Sequence, residues 1–261
     1  MKKSGLAGWM AGAAMLVAGI AGAQAEPIRF ALAAEPYPPF SVRHPDGQWT
    51  GFEPDLIRKL CADMQAECVI EEVAWDGIIP ALLAKKVDVI FNSMSITEER
   101  EKQIAFSRPY YNSPTVIVAP QALEVNATPE SMKGKAIGVQ ISTNNSSYVK
   151  KFYEGVADVR YYDTQDSVNA DLTAGRIDLM LADGLGVADF VKSADAHAAS
   201  LVVKGEVPHD AVLGRGMGAG VRKEDQALRA RLDDAIGKLL ASEDYKTISA
   251  RYFDVSVAPK E

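Results

Sequence analysis

Two side chains of complementary chemistry, the Ser93 hydroxyl and the Asp183 carboxylate, each end a matched stretch of this 261-residue chain. The first stretch reads Trp75-Asp76-Gly77, then Leu82-Leu83-Ala84-Lys85-Lys86-Val87-Asp88-Val89-Ile90-Phe91-Asn92-Ser93. The second reads Gln165-Asp166-Ser167, then Leu172-Thr173-Ala174-Gly175-Arg176-Ile177-Asp178-Leu179-Met180-Leu181-Ala182-Asp183. A shift of 90 residues sets Asp76, Leu82, Ala84 and Asp88 on Asp166, Leu172, Ala174 and Asp178. Each stretch has the pattern of a short helix, a basic turn and an apolar strand, which is half of a βαβ unit. Such chemistry is common enough to match once by chance; two matched copies favour two similar α/β lobes. Ligands of open α/β sheets sit beyond the carboxyl ends of the strands. Ser93 and Asp183 then offer one cleft a hydroxyl from one lobe and an anion from the other.

The elements around them follow the same logic. Ile28 to Leu32 reads as a strand, and Glu35-Pro36-Tyr37-Pro38-Pro39-Phe40 as a loop stiffened by three prolines. His44-Pro45-Asp46-Gly47 is a turn. Gly51-Phe52-Glu53-Pro54-Asp55 opens a helix, with Pro expected at its first position and Leu56, Leu60 and Met64 on one face. Cys68 to Val73 is a strand. Thr97 is a natural N-cap for a helix entering Glu98-Glu99-Arg100. Ala105 to Ala119 reads as two strands around Tyr110-Tyr111-Asn112-Ser113-Pro114, a crossing between lobes. Ala136 to Val139 is a strand, and Ser142-Thr143-Asn144-Asn145 caps a helix to about Tyr153. Gly184 to Ser193 is expected to be helical. Gly214 to Gly220 returns the chain through a glycine-rich crossing, and two helices, near 223–241 and 243–252, end it. The expected division is a leader at 1–25, one lobe from 26–112 and 214–261, and a second lobe from 113–213.

Composition narrows the class. Lys2 and Lys3 precede eighteen uncharged residues, Leu6 to Ala23, and then Ala23-Gln24-Ala25 before Glu26. That is the pattern of a cleaved secretory signal peptide. The run is mostly Ala and Gly with no positive flank behind it, which argues against a membrane anchor. Removing it lowers Lys+Arg from 28 to 26 against 35 acids, so the net charge moves from −7 to −9. That sign disfavours nucleic acid and anionic membrane as partners and weakly suits a cation. Cys61 and Cys68 are the two cysteines, and export favours a disulfide between them. A metal pair would need two further ligands, and His44, His197 and His209 make no ligand-spaced motif. No metal or cofactor is expected.

Several segments resemble the periplasmic polar amino-acid binding proteins of ABC importers (solute-binding protein family 3), especially the lysine/arginine/ornithine and histidine binding proteins. They are Tyr37-Pro38-Pro39-Phe40, Gly51-Phe52-Glu53-Pro54-Asp55-Leu56, Cys61-x6-Cys68, and Trp75-Asp76-Gly77-Ile78-Ile79-Pro80. Further matches are Ser93-Met94-Ser95-Ile96-Thr97-Glu98-Glu99-Arg100, Gly138-Val139-Gln140, and Leu172-Thr173-Ala174-Gly175-Arg176-Ile177-Asp178. The resemblance implies the type II periplasmic binding protein fold, two doubly wound α/β lobes joined by two crossing strands, closing on a ligand between them. It implies a monomer in the periplasm that captures a small amino acid and delivers it to an inner-membrane ABC permease.

The resemblance also implies a site. Arg100 matches an arginine that grips the ligand carboxylate, for which a guanidinium fork is suited; its place in the first turn of a helix is expected to help. Thr143 and Asn144 match a helix start offering N–H groups to that carboxylate. Asp183 matches the acid that takes the α-ammonium, with Ser93 and Ser95 beside it. Tyr37 and Trp75 match two rings that sandwich the ligand side chain, where a cation–π contact is available. Met94 lies within the same matched segment. Ala34 stands where the basic-ligand proteins carry an acid, and Glu35 follows one residue later. Asn92 and Gln140 also depart from the usual residues, and their amides suit a guanidinium, an amide or an opine carboxyl. Opine binding is therefore one alternative. Another is an exported enzyme on this fold, a cyclohexadienyl dehydratase, with Glu35 as its proton donor. A receptor ligand domain would need a membrane segment, which the sequence after the leader lacks.

Overall fold

The computed structural model describes residues 26–259; the expected leader lies outside them. The chain begins with β1 (Ile28–Ala33), a small hairpin of β2 (Val42–Arg43) and β3 (Trp49–Thr50), α1 (Phe52–Asp63), β4 (Cys68–Val73) and α2 (Ile78–Leu83). It continues through β5 (Val89–Ile90), α3 (Glu98–Glu101) and β6 (Ala105–Tyr111). The second part holds β7 (Thr115–Pro120), α4 (Pro129–Met132), β8 (Ala136–Gln140), α5 (Asn144–Tyr153), β9 (Asp158–Tyr162), α6 (Gln165–Thr173), β10 (Leu179–Asp183), α7 (Ala194–Ala198) and β11 (Leu201–Glu206). The chain then returns as β12 (Met217–Val221), α8 (Gln226–Leu240) and α9 (Glu243–Ser249). Among the described residues no helix is long and apolar enough to cross a membrane.

Ten strands form two five-stranded sheets, in the orders β4-β1-β5-β12-β6 and β11-β7-β10-β8-β9. The sheets are built alike. β1 pairs in parallel with β4 and β5, and β8 in parallel with β9 and β10. Each parallel trio is extended by an antiparallel strand that arrives from the other half of the chain, β12 beside β5 and β7 beside β10. The fold is a two-lobed α/β architecture with two crossings.

The matched repeat has a structural meaning beyond its strand. The Asp88 amide donates to Arg29 O at 2.8 Å and its Oδ2 accepts from Arg29 N at 3.1 Å. Asp178 does the same to Ala136, at 2.8 and 2.7 Å. In both lobes the repeated acid therefore locks the start of the third parallel strand to the start of the first. Asp88 also receives the Arg29 and Arg222 side chains; these bonds outweigh the upward push of burial and hold its carboxyl at about 2.

Each lobe has its own core. Phe30, Leu32, Phe40, Phe52, Leu56 and Leu60 pack with Leu232, Ile236 and Leu239 of α8 and Tyr245 of α9. In the second lobe Ile117, Ile137, Val139, Leu179 and Leu181 pack under Tyr148 and Val149 of α5. The Cys61–Cys68 disulfide is formed and ties the end of α1 to the start of β4; closing so short a loop is worth roughly 2–3 kcal/mol.

Three expectations about elements change. Pro54 is the third residue of α1, not the first, because Gly51 is the N-cap. Gly51 sits at φ +124°, and a Cβ there would lie 2.3 Å from Phe40 O. Gly184 to Ser193 is not an α-helix: a turn runs to Asp189, then one 3₁₀ turn spans Phe190–Lys192. The Asp183 carboxylate takes the Leu185 and Gly186 N–H groups, and two glycines weaken any helix there. The helix holding Arg100 is only four residues long, so a macrodipole adds little.

Candidate functional site

Four strand ends converge on one cleft. Ala33 ends β1, Asn92 and Ser93 follow β5, Gln140 ends β8 and Asp183 ends β10; all line one space between the lobes. Glu35, Tyr37, Trp75, Arg100, Thr143 and Asn144 line it too. Ten of the sequence-derived site residues are thus brought together.

Arg100 is 8% exposed. Thr97 caps its helix, and the side chain turns back so that Nη1 donates to Ser95 O at 2.9 Å. Nη2 reaches across the cleft to Ser142 O, also at 2.9 Å. The guanidinium lies 5.6 Å from the Trp75 ring centroid, within cation–π range. Burial pulls its pKa down to about 10, with no anion among the described residues offsetting that pull. A buried cation without a counter-ion is costly, so the site favours an incoming anion. Trp75 spans the cleft as well, its Nε1 donating to Ile141 O at 3.2 Å.

Asp183 is fixed by its own lobe. Oδ1 accepts from the Ser113 hydroxyl, from Leu185 N at 3.0 Å and from Gly186 N at 3.2 Å. Burial outweighs these bonds and pushes the carboxyl up to about 6. Asn92 Oδ1 accepts from Ala33 N at 2.8 Å, tying β5 to β1 and leaving its NH₂ free of that bond. Gln140 is the reverse: Nε2 donates to Asp163 O at 3.1 Å, so its remaining polar end is an acceptor. Thr143 and Ser146 make a capping box at the start of α5. That box occupies the Thr143 N–H, bonded to Ser146 Oγ at 3.2 Å, but not those of Asn144 and Asn145.

Two of the expected residues stand apart from this space. Met94 is 1% exposed and belongs to the core under α2, and Ser95 is 2% exposed with its hydroxyl on Met217 Sδ. Met94 instead borders the adjoining opening that shares Trp75, Arg100, Thr143 and Asn144, and Ser95 contributes through the carbonyl that holds Arg100. Asn145, Gln165 and Met217 line the cleft without having been expected. Gln165 had a signal, since it stands where Trp75 stands in the shifted repeat. Its Nε2 donates to Asn169 Oδ1 at 3.0 Å, so it too turns its acceptor end outward from that bond.

The lobes also touch through Tyr37 and Gly186. A Cβ on Gly186 would lie 2.2 Å from the Tyr37 hydroxyl and 2.6 Å from its ring. Gly186→Ala is expected to push the ring aside and weaken ligand binding by about 1–3 kcal/mol, the usual range for overpacking. Calorimetry on the folded variant checks this; unchanged affinity would show that the Tyr37–Gly186 contact does not matter to the bound form.

A cleft between two α/β lobes, with acceptors at its strand ends and the buried Arg100 cation of α3 beside them, is the architecture of a solute-binding protein. The chain belongs to the bacterial extracellular solute-binding proteins, family 3, whose model matches residues 28–255. It is 36% identical over 234 residues to an L-arginine-binding protein of Pseudomonas aeruginosa, covering 89% of this chain and 90% of that one. It is 34% identical to the lysine/arginine/ornithine-binding periplasmic protein of Escherichia coli, covering 85% of each. An arginine-specific periplasmic binding protein of Salmonella typhimurium has the same fold, with a TM-score of 0.78 at 27% identity over 88% of this chain and all of that one.

Proposed function

We propose that this protein captures a basic amino acid, arginine foremost, in the periplasm and delivers it to an ABC permease in the inner membrane. The observation that carries this reading is Glu35. Its Oε2 lies buried at the cleft with no hydrogen-bond partner among the described residues. A bare carboxylate oxygen in a binding cleft calls for a donor-rich cation. Gln140 and Gln165 add acceptor ends, which suit the five N–H donors of a guanidinium. The relatives' names, arginine-binding and lysine/arginine/ornithine-binding, agree with that choice.

In this reading Arg100 and the Asn144 and Asn145 N–H groups hold the ligand carboxylate, and Asp183 and Ser93 hold its α-ammonium. Tyr37 and Trp75 flank the aliphatic stem. The lobes, 26–112 with 214–261 against 113–213, close by bending at the two crossings, and the protein acts as a monomer exported by a cleaved leader. Binding rather than turnover is favoured, because every polar group named here fits a holding role.

The test is a thermal-shift screen of the mature protein with arginine, lysine, ornithine, histidine, glutamine, octopine and nopaline. A ligand at 100 times its dissociation constant stabilises by about 2.7 kcal/mol. Arginine is expected to give the largest shift. Glu35→Gln is expected to lower arginine affinity by about 1–3 kcal/mol while leaving glutamine nearly unchanged. A parent that prefers glutamine or an opine overturns the basic ligand, and consumption of prephenate or arogenate overturns the binding role.

A further inference from the structure

Beneath the cleft lies a carboxyl group that the binding reading leaves unused. Glu53, the second residue of α1, is fully buried. Its Oε1 accepts three hydrogen bonds: from Ser93 N at 2.5 Å, from Ser93 Oγ at 3.2 Å and from the Tyr110 hydroxyl at 2.5 Å. Its Oε2 is buried without a partner among the described residues. Ser93 itself sits at φ +48°, a left-handed conformation uncommon outside glycine. A serine hydroxyl has one proton and two lone-pair positions. Glu53 receives that proton, so Ser93 can present only acceptor lone pairs to the cleft it lines.

We infer that Glu53 is a positioning residue for ligand capture: it fixes the left-handed Ser93 backbone and orients Oγ to accept from the ligand's α-ammonium. The inference rests on the amino-acid reading above. Glu53 does this as a neutral acid. Burial pushes its carboxyl up to about 8, against the bonds from Tyr110 and Ser93, and the Asp183 carboxylate adds to the rise. The other titratable groups facing it are Tyr110 and Tyr111 of β6 and Tyr37 of the loop after β1, all held neutral foremost by burial. With all three donors on Oε1, Oε2 is the oxygen left to carry the proton of the neutral acid.

The experiment compares arginine with 5-guanidinopentanoate, which lacks only the α-ammonium. Both are titrated into the parent, Glu53→Gln, Glu53→Leu and Ser93→Ala. Glutamine keeps the acceptor oxygen, so Glu53→Gln is expected to stay within about threefold of the parent for both ligands. Glu53→Leu and Ser93→Ala are expected to lose about tenfold or more on arginine and much less on the analogue. Equal losses on both ligands would assign Glu53 a folding role only and overturn the inference. A parent that binds neither ligand overturns the arginine reading together with this one.

Glu53→Gln also decides the matter if Glu53→Leu does not fold. The raised Glu53 pKa means that the folded parent holds a proton that the unfolded chain releases above about 4.5. Parent stability therefore falls as pH rises from about 4.5 to about 8, whereas the glutamine variant escapes that loss. Its melting temperature is expected to gain on the parent's between pH 5 and pH 8.5. A gap that moves the other way makes Glu53 a charged anchor and overturns the neutral-acid role.

Discussion

Arg100→Ala is expected to weaken arginine binding by about 2–5 kcal/mol, the usual cost of removing one partner from a buried charge pair. The side chain is 8% exposed, and its pKa is lowered by burial with no offsetting anion among the described residues. Without it a ligand carboxylate would be desolvated against backbone N–H groups alone. The alanine variant also loses the bond to Ser142 O, one of the contacts that joins the lobes. Arg100→Lys keeps the charge but not the fork and the two simultaneous carbonyl contacts, so most of the loss is expected to remain. Calorimetry on both variants tests this. A change of less than fivefold in the alanine variant would remove Arg100 from the ligand site.

Asp183→Asn is expected to be comparably damaging, and it carries a pH signature. Burial holds this carboxyl at about 6 in the free protein. An ammonium pairs with the ionised form, so arginine affinity should be flat above about pH 7 and fall by up to tenfold per unit below 6. The asparagine variant should bind weakly with no such slope. Stability of the ligand-free protein should move the opposite way. The native state holds a proton at Asp183 that the unfolded chain, at about 3.8, releases, so this group's contribution falls as pH rises between those values. Parallel affinity and melting profiles from pH 5 to 8 measure both. Affinity that does not weaken toward pH 5 would separate Asp183 from the ammonium.

Much of this was legible in the chain. The repeat at Asp88 and Asp178 revealed two lobes because the same acid performs the same bond in each, and a bond that needs one residue type leaves a readable trace. Ser93 and Asp183 were found because strand ends face clefts. The burial of Met94 and Ser95 was not legible, because sequence adjacency does not tell which way a loop side chain turns. Gln165 and Asn145 were missed because each sits at a helix start, where an amide also reads as ordinary capping chemistry. Strands β9 and β11 gave no clear signal. Both are edge strands with one wet face, and Asp158-Val159-Arg160-Tyr161-Tyr162 lacks the apolar run that marked β5 and β10.

The order of the first sheet has a consequence for a chain that emerges N-terminus first. All five strands of the second sheet lie between Thr115 and Glu206, so that lobe can assemble its ladder from contiguous residues. The first sheet cannot. Its β6 is joined to β5 only through β12, and β12 is residues 217–221, followed by the helices that cover the same core. Until those last residues arrive, β5 keeps an open edge and β6 has no partner in its sheet. The older half of the polypeptide is therefore the later half to fold, and a truncation before Met217 should leave a structured second lobe tethered to an unfinished first one.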